Sequence, residues 1–173
     1  MSYASAGELP LALAYVLREV ELGLGIKGAK VQLSEGLLSV LDGEGQFAFA
    51  HAPVARGLLG CWTRCHFLGK AMKKRPLDSE ARAHLKWFLR HTIATMRADG
   101  TPMLVTKAAT ANDQQMFEIA FDALGNTTEN KLAHLNLPSR TKPGKQTEKA
   151  LKRLPNPATN SEWAEMALLR SSW

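Results

Sequence analysis

Between Leu58 and Met72, apolar side chains recur at intervals of 3, 4, 3 and 4: Leu58, Cys61, Cys65, Leu68, Met72. That is the period of an α-helix with one face in a core. A second line, Leu59, Trp62, His66 and Gly69, runs beside the first, while Arg56, Thr63, Lys70 and Lys74 fall opposite. An apolar arc this wide predicts an inner helix, covered on more than one side. Gly57, Gly60 and Gly69 would weaken an exposed helix by about 1 kcal/mol each, so they are read as points where a neighbouring backbone comes close. Pro53 suits the first turn, where its missing N–H costs nothing.

A helix of this kind needs partners, and the flanking segments offer them. Residues 8–22 carry Leu9, Leu13, Val16, Leu17 and Val20 at helical spacing, ended by Gly23, Gly25 and Gly28. After a short connection, Asp78 or Ser79 caps a helix whose buried face is Leu85, Phe88, Leu89, Ile93 and Met96. Arg82, Lys86, Arg90 and Arg97 form its wet face, and Gly100 and Pro102 stop it. The short connection predicts an antiparallel α-hairpin. Further helices are expected from Asn112 to Leu124, with Met116, Ile119, Ala120 and Ala123 inward, and over TENKLAHL. Residues 34–50 stay open. Ser34 could cap a short helix with Leu37, Leu38 and Leu41 on one face, or LLSVL and QFAFA could pair across the turn Asp42–Gly45.

The expected class is therefore mainly α, built from antiparallel helical hairpins. Residues 1–137 read as a helical domain and 138–160 as a basic, Pro- and Lys-rich linker without aromatics. Residues 161–173, SEWAEMALLRSSW, are too apolar for a solvated tail and too short for a core. They read as the opening strand of a β-domain that does not follow, which makes the chain a fragment.

Charge and length narrow the function classes. The 173 residues carry a net charge of +6. The segment 139–153 holds six basic residues and one acidic (Glu148), a net of +5. The excess is thus one local run, which reads as a solvated linker, and nucleic acid is not the expected partner. The runner-up reading is a non-enzymatic helical binding module whose basic segment 139–153 touches a polyanion. There is no run of about 18 apolar residues, so no membrane partner is expected. The N-terminus lacks the basic region of a signal peptide.

The stretch CWTRCH (61–66) looks chemical. A structural zinc site wants four ligands, and Cys61 and Cys65 are the only cysteines. Their spacing fits neither a thioredoxin-like pair nor a c-type haem. As i and i+4 neighbours on the apolar stripe they read as small core hydrophobes, and no metal or cofactor is expected. The plain readings of the residues around them are a core histidine for His66 and solvated arginines for Arg56 and Arg64. The sharper reading has Arg56, Trp62, Arg64 and His66 lining a groove for an acidic sugar, the indole stacking on a ring and arginine forking onto a carboxylate. His84 and His91 read as packing residues.

Three stretches together resemble the heparinase II/III-like family. SEWAEMALLRSSW is similar to the strand that opens that family's C-terminal β-domain. MRADGTPMLVT resembles a helix-to-turn stretch of its helical domain, and LDGEGQFAFAHAP a turn before its inner helix. The resemblance covers roughly residues 40 to 173. It implies part of an incomplete α/α toroid, then a β-sandwich, and lysis of acidic polysaccharide by β-elimination in a periplasmic or extracellular full-length protein. That chemistry needs a carboxylate neutraliser, a base and an acid. The tyrosine sought after the DG turn is absent, since the sequence there reads HAPVARG. No catalytic residue is carried over, and the chain alone is expected to be inactive.

Overall fold

The computed structural model describes residues 3–16, 26–97, 101, 103, 111–125, 127–137, 156 and 158–171. They are mostly helical: α1 Tyr3–Val16, α2 Ile26–Leu38, α3 Ala52–Ala71, α4 Ser79–Ala94, α5 Ala111–Leu124 and α6 Thr127–Asn136. A 3-10 turn, Phe49–His51, leads into α3, and the chain closes on two short strands, β1 Thr159–Ser161 and β2 Met166–Leu168. Leu17, Val20, Gly100, Pro102, Trp173 and the basic run 139–153 lie outside the described residues.

The helix α3 is interior, as its wide apolar arc requires. Its backbone packs against α1 and α5, while α4 packs against α2 and α6, and α1 packs closely on α2. Side chains join α3 to α4. Phe88 of α4 receives the edge of Trp62 from α3 (5.5 Å, 85°) and meets Phe47 (5.8 Å, 73°). Cys61 and Cys65 are thiols not joined in a disulfide and sit in this core at 2% and 0% exposure. Thr63, expected opposite the apolar face, is buried as well, and its hydroxyl donates to the Leu59 carbonyl at 2.7 Å. Gly69 meets the close-approach expectation: a Cβ there would lie 2.5 Å from Pro76 Cδ and 2.9 Å from the Lys74 carbonyl. Gly57 does not, since among the described residues nothing lies within 4 Å of its Cβ position.

The helix α4 follows its reading closely. Asp78 is the cap, its carboxylate accepting from the Ala81 N–H at 2.8 Å, and all five expected core residues are buried. Three other expectations shift. Ser34 is not a cap; it is buried inside α2, where its hydroxyl accepts from the Asp78 N–H at 3.1 Å and ties α2 to the start of α4. In α5 Ala120 is buried and Met116 packs against the core as expected, but the largest buried side chains are Phe117 and Phe121, while Ile119 is 41% exposed. Both faces of α5 are apolar, and the one carrying two aromatic rings has more area to remove from water. In α1, Leu9, Leu13 and Val16 point outward while Leu11 is buried. Glu8 meets Arg64 of α3, and Leu11, one turn on and so on the same side of α1, is the residue that is buried.

The open segment 34–50 combines both of its readings. The helix α2 runs to Leu38, and beyond it Leu41 and Phe47 form an antiparallel bridge around the expected turn. One carboxylate oxygen of Asp42 accepts from the Glu44 and Gln46 N–H groups, at 2.9 and 2.8 Å. Gly45 has φ +78, and a Cβ there would fall 2.5 Å from Trp87 Cβ and 2.7 Å from the His84 carbonyl. The turn is therefore pressed onto the backbone of α4.

Residues near the C-terminal end form a hairpin rather than a single strand. The strands β1 and β2 are antiparallel, with Thr159 opposite Leu168 and Ser161 opposite Met166. Thr159 and Asn160, expected in the linker, belong to β1. Among the described residues, no helix is long and apolar enough to cross a membrane.

Candidate binding cleft

The helix α3 spreads the four residues expected to line a groove. With about 100° per residue, Arg64 lies about 160° from both Trp62 and His66, while Arg56 lies about 80° from His66 and about 120° from Trp62. Trp62 is 2% exposed and engaged with Phe88, so it offers no ring face to a sugar. Arg64 is exposed and forks Glu8 through Nε (2.5 Å) and Nη2 (3.1 Å). Burial pushes the Glu8 carboxyl up, but the hydrogen bonds from Arg64 and Cys61, with the Arg64 charge, hold it below its usual value. The hydrogen bond with Cys65, burial and the Glu8 carboxylate together push the Cys61 thiol far up, so it stays un-ionised and unreactive. Arg56 is half-buried. His66 is half-buried with its ring edge-on to Phe67, and burial, then the Lys70 charge, lower its pKa. Among the described residues, no three His, Cys, Asp or Glu side chains gather as a metal site would need. These are core and surface positions rather than one groove.

A cleft does exist, on the opposite face of α4. It encloses about 320 Å³, with Trp87, Arg90, His91 and Ala94 on one wall, Glu44 on a second, and Asn156 and Thr159 on a third. The four residues of α4 stand at i, i+3, i+4 and i+7, the spacing that puts them on one helix face. Their settings differ. Trp87 is half-buried, has Gly45 against its Cβ, and meets the ring of His84 edge-on (5.3 Å, 63°). Arg90 donates from Nε to Glu129, whose side chain is fully buried, and is itself 27% exposed. A buried carboxylate demands such a partner, so the guanidinium is held in place through Nε, and no hydrogen bond engages its four other N–H donors among the described residues.

His91 bonds through Nε2 to the Glu44 carbonyl at 3.2 Å. Burial pulls its pKa down and Arg90 adds to that; the bond to Glu44 and the charges of Asp42 and Glu44 oppose, without reversing the direction. The imidazole is therefore neutral at neutral pH. With Nε2–H donating to the carbonyl, Nδ1 is left as an acceptor. Thr159 Oγ1 is buried and has no hydrogen-bond partner among the described residues.

The third wall is pinned from two directions. The Ser161 hydroxyl donates to Asp42 Oδ2 at 2.7 Å, the Phe49 N–H to the Ala164 carbonyl at 2.8 Å, and Gln46 Nε2 to the Met166 carbonyl at 3.4 Å. Arg170 Nη1 donates to the carbonyls of Ile93, Ala94 and Met96 at 3.1, 3.2 and 3.3 Å.

From sequence alone Arg90 falls on the wet face of α4 and His91 among packing residues. The local signal for the cleft is Trp87, an indole on an otherwise charged stretch of helix, one turn before both. Asn156 and Thr159 carried no local signal, because only the docked hairpin brings them here. Compared with protein-family models, curated proteins and solved structures, the chain has no significant match.

Proposed function

We propose that the chain is the helical part of a heparinase II/III-like polysaccharide lyase relative and that it binds acidic glycan in the cleft on α4. The resemblance of LDGEGQFAFAHAP, MRADGTPMLVT and SEWAEMALLRSSW supports the family. Under this reading the helices are hairpins of an incomplete α/α toroid, and the strands are the near edge of a β-domain.

The observation that carries the ligand class is the wall of α4, where an indole, a pre-positioned guanidinium and a neutral imidazole share one helix face. A uronate sugar asks for this set. The indole covers a ring face, the guanidinium forks onto the carboxylate, and His91 Nδ1 and the Thr159 hydroxyl meet ring hydroxyls. The volume lies at the lower end of the range of about 300–1,000 Å³ usual for small-ligand sites, enough for one or two sugar units. Binding, not elimination, is the activity assigned to this chain.

Calorimetric titration with tetragalacturonate, and with a neutral tetrasaccharide as control, tests the reading. The uronide binds and the neutral sugar does not. Arg90→Lys keeps the charge opposite Glu129 but loses the fork, and weakens binding about tenfold; Trp87→Ala weakens it at least as much. Equal binding of both sugars, or an Arg90→Lys variant indistinguishable from the parent, would sink the proposal.

A further inference from the structure

Hydrogen bonds from residues 161–170 reach the helical part of the chain at two places. Asp42, Gln46 and Phe49 flank Glu44, and the Ile93, Ala94 and Met96 carbonyls close α4 just beyond His91. Those two places are the other two walls of the cleft. The last carbonyls of a helix have no partners within it and carry the negative end of its dipole, where a cation is favoured. Arg170 meets both demands at once, bringing a cation and donors from a residue two positions beyond β2. Ala94, whose carbonyl it takes, itself lines the cleft.

We propose that Arg170 is a positioning residue of the cleft. By capping the C-terminal end of α4 it holds Asn156 and Thr159 opposite Trp87, Arg90 and His91, and so assembles the third wall. This deepens the glycan reading and rests on it only for the identity of the ligand. Ligand and docked segment are then coupled: a sugar that spans α4 and the Thr159 wall binds the assembled cleft and stabilises it in proportion to that preference.

Hydrogen exchange read by mass spectrometry on the full chain, with tetragalacturonate titrations in parallel, tests this. Arg170→Ala speeds exchange across 159–168 by about tenfold or more, leaves 52–71 unchanged, and weakens uronide binding by about tenfold. Arg170→Lys, which keeps the cation and donors without the planar fork, recovers part of both effects; a merely space-filling role for Arg170 gives no such graded recovery. Saturating tetragalacturonate slows exchange of 159–168 in the parent chain. Unchanged exchange at 159–168 in Arg170→Ala overturns the proposal, and so does faster exchange with undiminished affinity. Should Arg170→Ala fail to fold, Arg170→Lys decides alone: intermediate exchange confined to 159–168 supports the assignment, and parent-like exchange overturns it. If the parent binds no uronide, the glycan reading falls by itself, while the exchange data still decide whether Arg170 holds the segment on α4.

Discussion

Phe88 is where α3, α4 and the 42–45 turn meet, because Trp62 and Phe47 both bring ring edges to it. This makes Trp62 a packing residue in energetic terms. Trp62→Ala is expected to cost about 3–5 kcal/mol in chemical denaturation, the range for emptying a large aromatic site. Arg64→Ala, which breaks an exposed ion pair with Glu8, is expected to cost about 0–1 kcal/mol after solvent screening. Neither Arg56→Ala nor Arg64→Ala weakens uronide binding if α4 carries the site. His91 and His66 make a second residue-scale expectation. Burial depresses both pKa values below the ordinary 6.5. Between the depressed values and 6.5 the unfolded chain therefore binds more protons than the folded one, and stability falls as pH falls through that window. Glu8, with its carboxyl held low, adds a separate loss only below 4.5. Denaturation midpoints measured from pH 7.5 to 5 should decline, and His91→Gln should flatten part of that slope; a flat profile in the parent contradicts the assignment.

At the scale of elements, legibility followed the strength of local signals. The helix α4 combines a carboxylate cap with five apolar residues in register, so cap and buried face could both be read from the residues. The cysteine stripe of α3 was readable for the same reason. In α1 and α5 the local signal is ambiguous. In α1 it is Leu11 that enters the core while Leu9 and Leu13 stay exposed, and Glu8, on the side of Leu11, meets Arg64 from 56 residues away. In α5 two apolar faces compete, and the aromatic one faces the core. The comparison between them is measurable. Phe117→Ala is expected to cost about 3–5 kcal/mol, and Ile119→Ala, 41% exposed, under about 1 kcal/mol. Equal losses in thermal unfolding would mean that α5 is rotated from the orientation described.

At the scale of the molecule, the cleft draws on Glu44, on Trp87, Arg90, His91 and Ala94, and on Asn156 and Thr159. The hydrogen bonds that assemble it join residues 74 to 120 positions apart. A single sequence shows no contact of that range, so the residues that line the cleft are not legible in it as one group. The same scale separates the two functional readings. A polyanion held by the run 139–153 would be bound through displaced counterions, with affinity falling steeply as salt rises. A uronide held in the cleft engages one guanidinium fork, an indole and a few neutral groups, and its salt dependence should be shallow. Deleting residues 139–153 should therefore leave tetragalacturonate affinity within about twofold of the parent between 50 and 300 mM salt, while Arg90→Lys lowers it about tenfold at every salt concentration. The reverse pattern, with affinity lost on deletion and indifferent to Arg90, would transfer binding from the cleft to the basic run and make the chain a polyanion-binding module.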